Sequence, residues 1–340
     1  MGDKLYSLPL VVLYLTDGCN SRCLTCDIWR NPRKNMDMRL VDTIADECAS
    51  LGVRAVLLSG GEAMQHPEWD RIARRFREQG IYTMFLTNGL LLRKDAERLV
   101  GAVDEVIVSL DGGTAETYEA IRGVDAFDLV LDGIRAVRQL NIPVVTRTTI
   151  QRLNYREISQ IIDSARAVDV NRVSFLAVDV DNPYAFGPRF VVDPDLVVMP
   201  PREDTAALSR EDVEALSLIL DDLAVNYADD FRCGLIGESP QKLRRILLDY
   251  FYAMHGQGEP TAPRCNAPHF STVIEVDGTL RPCYFLPEYG KIDTNGGQLH
   301  EVINNADARA LRRAYRAGER KECIGCVCPL YKNPQALLTM

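Results

Sequence analysis

Apolar residues in this chain alternate between two patterns. Unbroken runs at 8–15, 53–59, 81–86, 103–110, 144–150 and 172–178 read as strands covered on both faces, which lose the polar alternation of a half-exposed sheet. Between them apolar positions recur at helical spacing. Leu40, Val41, Ile44, Ala45, Cys48 and Leu51 form the first such stripe, closed by Gly52, and Cys48 reads as packing there. Further helices are predicted over 67–79, 93–100, from Thr114, over 127–140 and over 155–168. Six strand–helix units imply an α/β fold with a parallel sheet, helices outside and sites at the strands' C-terminal ends. Six units rather than eight leave such a barrel partial, (β/α)6, and open on one side. Asn88, Ser109, Asp111 and Arg147 fall at or near strand ends, where cap and turn roles compete with ligand roles.

The rhythm stops near residue 180. Residues 179–201 are rich in Pro, Asp and Gly, end in Pro200-Pro201 and read as a crossing loop. Ser209 with Asp212 marks a helix start, with helical periodicity over 213–227. A second helix over 240–255 follows Ser239, with Pro240 in its first turn. Apolar runs at 271–276 and 279–282 flank Asp277-Gly278, a hairpin signal, and a last helix is expected over 307–317. The expected domains are 1–180, a connector at 181–260 and a small C-terminal domain at 261–340.

Composition narrows the class. The chain has 340 residues, 46% of them hydrophobic, a net charge of −9 and ten cysteines. Acidic balance argues against a nucleic-acid surface. Residues 8–15 are too short to span a membrane and lack the flanks of a signal peptide, so a cytoplasmic protein is expected. In that setting the cysteines point to metal or redox chemistry rather than disulfides.

Three of them, Cys19, Cys23 and Cys26, sit at C-x3-C-x2-C spacing just past the first strand. Such spacing suits three irons of a [4Fe–4S] cube, the fourth left open to a non-protein ligand. A zinc knuckle or a disulfide loop is the plainer alternative, but no fourth Cys or His is near. The motif resembles that of the radical S-adenosylmethionine (radical SAM) superfamily, although the aromatic that follows, Trp29, stands one residue later than in many members. One β-α-β step on, Gly60-Gly61-Glu62 resembles the superfamily's motif for the ammonium of SAM. The resemblance, which covers roughly residues 8–180, implies a partial (β/α)6 TIM-like barrel and a SAM-binding [4Fe–4S] cluster. It also implies a flavodoxin- or ferredoxin-type electron donor, with Gly60, Gly61, Glu62, Ser109, Arg147, Asn88 and Asp111 as cofactor-binding candidates.

A second set follows. Cys265 and Cys283 flank the hairpin, which would bring them together, and Cys323, Cys326 and Cys328 close the chain's cysteines. A zinc ribbon is the alternative. The spacing resembles the SPASM/twitch extension of radical SAM proteins in its shorter form, implying one auxiliary [4Fe–4S] cluster on Cys265, Cys283, Cys323 and Cys326. Cys328 either replaces one of these or, like Cys233, is a spare thiol. The expected chemistry is reductive cleavage of SAM, hydrogen abstraction and a two-electron oxidation of a small biosynthetic substrate, with the auxiliary cluster as acceptor. An epimerase returning hydrogen from Cys328 or Cys233, a peptide-modifying maturase and an iron–sulfur carrier are the alternatives. With eighteen residues before Cys19 no N-terminal leader-binding domain is expected, and unless a separate protein recognises a leader, a small molecule is expected ahead of a peptide. Substrate specificity is expected in the barrel mouth and in residues 179–201.

Overall fold

The computed structural model describes residues 2–180, 182, 184, 185, 205–258, 263–292 and 298–331. Six strands alternate with helices in the expected order: β1 (Leu10–Thr16), α1 (Met38–Cys48), β2 (Ala55–Gly60), α2 (Trp69–Arg77), β3 (Tyr82–Thr87), α3 (Leu92–Leu99), β4 (Glu105–Ser109), α4 (Ala115–Arg122), α5 (Phe127–Gln139), β5 (Val144–Ile150), α6 (Ile158–Arg166) and β6 (Arg172–Ala177). Each of β1 to β5 pairs in parallel with the next, and β6 is the edge. Alternate side chains divide the two faces of the sheet. Val11, Leu13 and Leu15 join the large core beneath the helices, whereas Leu10, Val12 and Tyr14 point to the inner face. Cys48 is fully buried on α1, as its stripe position requires.

The partial barrel is as expected, and its β1 edge is taken by the C-terminal part of the chain. Three more strands, β7 (Ser271–Ile274), β8 (Thr279–Arg281) and β9 (Gly290–Lys291), continue the same sheet, giving the order β6-β5-β4-β3-β2-β1-β7-β8-β9. β7 runs parallel to β1, with Leu10 opposite Ser271 and Leu13 opposite Ile274. An unpaired β1 would present a row of open backbone groups, and the hairpin predicted at Asp277-Gly278 satisfies them. Gly278 is required in that turn: its φ is +88°, and a Cβ there would lie 2.2 Å from the Ile292 carbonyl oxygen.

The Ser209–Asp212 start is a capping box on the helix Arg210–Asn226, and the Tyr155 hydroxyl donates to Asp212 Oδ1 at 2.5 Å, tying that helix to the barrel. The helix expected over 240–255 is present as Pro240–Arg244, a π turn at Arg245–Asp249 and Tyr250–Met254. Residues 181, 183 and 186–201 of the expected crossing loop, Pro200 and Pro201 included, lie outside the described residues.

Candidate functional site

The three-cysteine loop leaves the tip of β1 and returns to it. Asp17 N and Thr16 Oγ1 both donate to the Lys34 carbonyl, at 2.9 and 3.0 Å, and Thr16 bridges to Asn35. The C-terminal turn of α4 grips the loop on either side of Cys23. Arg22 N donates to Arg122 O at 3.0 Å and Leu24 N to Ile121 O at 2.9 Å. Gly123 ends α4 with φ +69°, and a Cβ there would meet the Arg22 carbonyl at 2.5 Å. The sequence analysis assigned no role to this clamp; its only signal was a glycine at a helix end.

Burial disfavours the thiolate at each of the three cysteines. Desolvation pushes Cys19 up to about 11 and Cys26 up to about 12, the neighbouring thiols adding to the rise, and desolvation raises Cys23 as well. Arg122, half-buried and ion-paired to Asp111 at 2.9 Å, is the cation that acts in the opposite sense on all three. Half-buried, desolvated thiols of this kind fit a metal cluster, whose positive charge deprotonates its ligands.

Gly60-Gly61-Glu62 ends β2 directly against this loop. A Cβ on Gly60, at φ +131°, would lie 2.4 Å from Thr16 O, and one on Gly61 would lie 2.4 Å from Gly18 O. Gly61 N and Glu62 N donate to Thr16 O and Gly18 O, both at 2.8 Å. The two glycines therefore serve close approach of two backbones, a physical requirement independent of any ligand. Glu62 is 1% exposed. Its Oε1 accepts from Met64 N at 3.0 Å and Thr87 Oγ1 at 2.9 Å, and its Oε2 from Asn88 N at 2.7 Å. Desolvation raises its pKa against these three bonds. A carboxylate has about four acceptor positions, so roughly one is left for a further donor.

Asn88 reaches the same loop, its Nδ2 donating to Asn20 Oδ1 at 2.7 Å and Ser21 Oγ at 3.0 Å. Asp111 is occupied on both oxygens, by Arg122 and by Thr149 N at 2.7 Å. Ser109 and Arg147 stand opposite each other on β4 and β5. Arg147 turns toward the second cysteine set, its Nη2 lying 3.8 Å from Cys328 Sγ.

That second set lines a cavity of about 490 Å³. Cys265, Cys283, Cys323, Cys326 and Cys328 all face it, together with Leu10, Val12, Leu57 and Met84 from the inner face of β1–β3, Arg147 from β5, and Tyr284. The last cysteines are brought in by Asn266 N donating to Leu330 O at 3.0 Å and Cys265 Sγ to the same carbonyl at 3.3 Å. Desolvation pushes Cys323 up to about 11 and raises Cys265, Cys283 and Cys326, with neighbouring thiols adding to it. Among the described residues no three His, Cys, Asp or Glu side chains close on a single ion. The five thiols line one volume instead.

Cys233 is not brought to either set. It is exposed at the end of the helix Ala228–Cys233, its thiol donating to Asp230 O at 3.6 Å. As a spare thiol it is remote in environment from the cavity that Cys328 lines. Tyr284, which the sequence analysis left unassigned, packs on Tyr14 with ring centroids 5.9 Å apart and closes the cavity toward β1.

Residues 13–165 match the model of the radical SAM superfamily, and residues 265–327 match SPASM, an iron–sulfur cluster-binding domain. The chain is 34% identical over 163 residues to the AdoMet-dependent heme synthase of Methanosarcina barkeri (strain Fusaro / DSM 804), covering 46% of this chain and 47% of that protein. It is 29% identical over 167 residues to a probable GTP 3',8-cyclase of Saccharolobus islandicus (strain M.14.25 / Kamchatka #1), covering 48% and 54%. The chain thus matches about half the length of these curated relatives. Among solved structures, Streptococcus suis SuiB bound to precursor peptide SuiA superposes with a TM-score of 0.65 at 15% identity, over 92% of this chain and 68% of that one. Native anSMEcpe with bound AdoMet and Cp18Cys peptide gives 0.64 at 16% identity, over 94% and 89%. At these identities the likeness is one of fold.

Proposed function

The chain belongs to the radical SAM superfamily and carries a SPASM iron–sulfur domain, and from that premise we propose an enzyme that oxidises a small biosynthetic substrate by two electrons in the barrel lumen. When bound, SAM and the two clusters would supply reductive SAM cleavage, a hydrogen-abstracting 5′-deoxyadenosyl radical and an acceptor for the second electron. In this reading Cys19, Cys23 and Cys26 hold the first cluster. Gly60, Gly61, Glu62 and Ser109 lie near SAM, with Asn88 and Asp111 steadying the loop and α4 around it. Cys265, Cys283, Cys323 and Cys326 hold the second cluster.

The observation that carries the reading is the shape of the lumen. The first loop leaves the C-terminal end of β1, while Leu10, at its other end, lines the five-thiol cavity. Six strand steps separate the two, about 20 Å at a strand's rise per residue. A substrate between them meets the apolar wall of Leu10, Val12, Leu57 and Met84, with Arg147 as its polar contact. The named activities of the curated relatives, heme synthase and GTP cyclase, concern small molecules, which supports the substrate class. Among the described residues no helix is long and apolar enough to cross a membrane.

The test is anaerobic. Reconstituted protein with reductant and SAM should release methionine and 5′-deoxyadenosine, and Cys283→Ala should retain that cleavage while losing oxidised product. Absence of 5′-deoxyadenosine from cluster-loaded protein would remove the proposal. One observation favours a second reading, epimerisation: Cys328 lines the cavity and is the thiol beside Arg147. A thiol returning hydrogen would place solvent deuterium in the product, which an oxidation does not.

A further inference from the structure

Two polar groups in the wall of the five-thiol cavity have hydrogen-bonding capacity to spare. The first is Arg147. On β5 the side chains alternate: Thr146 and Thr148 are fully buried and share a face with Val144 and Ile150 of the large core, which turns Arg147, between them, to the inner face. There it lines the cavity with Leu10, Val12, Leu57 and Met84. Two other arginines line the same cavity, and each holds a carboxylate of the chain. Arg316 pairs with Asp3, and Arg320 with Glu322 at 2.6 Å. Among the described residues Arg147 pairs with no carboxylate. Its contact is the one to Cys328 Sγ at 3.8 Å, which leaves most of the guanidinium's N–H donors open. The second group is the Tyr284 hydroxyl, whose oxygen is buried with no hydrogen-bond partner among the described residues. Desolvation raises its pKa and the Arg147 charge acts against the rise, so the two groups are within electrostatic reach of each other. A guanidinium in an apolar wall without a counter-ion and a buried hydroxyl without an acceptor both cost free energy, which an incoming anionic acceptor offsets.

We propose that Arg147 and Tyr284 form a carboxylate-binding subsite, and that the substrate is a carboxylic acid with an apolar body. The inference rests on the proposed function, whose substrate class it narrows. A carboxylate matches the planar fork of a guanidinium through two parallel hydrogen bonds and keeps lone pairs for the phenol hydroxyl. One positive charge then meets one negative charge. A phosphate monoester, with about two charges at neutral pH, would leave one unmatched. The wall of Leu10, Val12, Leu57 and Met84 takes the rest of the molecule. Because the guanidinium turns to Cys328, this reading assigns it to the substrate rather than to SAM, the role that the resemblance implied.

The experiment is equilibrium dialysis of cluster-loaded protein, without air, against three probes: octanoate, octanamide and octyl phosphate. SAM affinity is measured alongside by titration calorimetry. Octanoate should bind about tenfold or more tightly than either of the other two. Arg147→Met should weaken octanoate about tenfold to a hundredfold while the affinities for octanamide and SAM stay as in the unaltered protein. Arg147→Lys, which keeps the charge without the fork, should weaken octanoate less, and Tyr284→Phe should weaken it about tenfold or less. Iron content reports whether each variant keeps its cavity; if Arg147→Met loses iron, the Lys and Phe variants carry the test. Octanoate binding no tighter than octanamide, tighter binding of octyl phosphate, an equal loss of octanoate and octanamide in Arg147→Met, or a loss of SAM affinity with octanoate unaffected would each overturn the subsite. Failure of the unaltered protein to cleave SAM, with octanoate still bound through Arg147, would instead remove the proposed function, so the two failures are distinct.

Discussion

The two cysteine sets end in similar surroundings by different routes. Cys19, Cys23 and Cys26 belong to one loop, held by the tip of β1, the end of α4 and the Gly60-Gly61 backbone. Cys265, Cys283, Cys323, Cys326 and Cys328 come from three separated segments, assembled only because β7 pairs with β1 and residue 330 is tied to residue 266. In both, desolvation raises the pKa of Cys26 and of Cys283 alike, so each stays a neutral thiol until a bound cation favours the thiolate. The difference lies in redundancy. A local loop offers three thiols and no spare, whereas the assembled cavity offers five where one cube takes at most four.

The largest expected effect breaks the local set. Cys19→Ala/Cys23→Ala/Cys26→Ala should remove about four of roughly eight irons, on the count of four per cube, and abolish 5′-deoxyadenosine formation. Iron analysis and product assay check both, and persistent cleavage would defeat the assignment. The assembled set should answer differently. Cys283→Ala should also lose about four irons yet keep SAM cleavage, while Cys328→Ala should keep the full iron count if that thiol is the spare. A total of about twelve irons, or bound zinc, would show that the cavity holds something other than one cube.

Smaller effects probe the scaffold of the local set. Gly61→Ala forces a methyl against the Gly18 carbonyl and should destabilise the loop by about 1–3 kcal/mol, read as a lowered unfolding midpoint and faster iron loss. Glu62→Gln should leave iron content unchanged and weaken SAM binding about tenfold to a hundredfold, if its remaining acceptor position holds the SAM ammonium. Unchanged affinity by calorimetry would leave Glu62 as a structural anchor for Asn88 and Met64. The smallest effect belongs to Cys233→Ala, expected within about 0.5 kcal/mol of the unaltered stability, with no change in iron or turnover.

Much of this was legible in the sequence because its causes are local. The alternation of buried runs and helical stripes predicted all six β-α units, since each strand is covered on both faces and each helix buries one stripe. C-x3-C-x2-C and Gly60-Gly61-Glu62 were readable because a loop's spacing and a glycine's missing Cβ act within a few residues or one strand step. Asp277-Gly278 marked the hairpin for the same reason. Tertiary structure alone decided the rest. Nothing in the pattern of β7 says that it pairs with β1, so the barrel's open edge could not be seen to be occupied. The grip of α4 on the cluster loop brings residue 122 to residue 22, a contact with no sequence period. Glu62 could be identified as a carboxylate beside the loop, but three donors from Met64, Thr87 and Asn88 already engage it, and those converge only when β2 and β3 lie side by side. Arg147 was placed at a strand end by sequence, yet its direction, toward Cys328, follows from packing across the lumen. Spacing determines which groups one loop can offer; the pairing of distant strands determines which groups share a volume, and here it gives the five later thiols one cavity with Arg147 and the inner face of β1–β3.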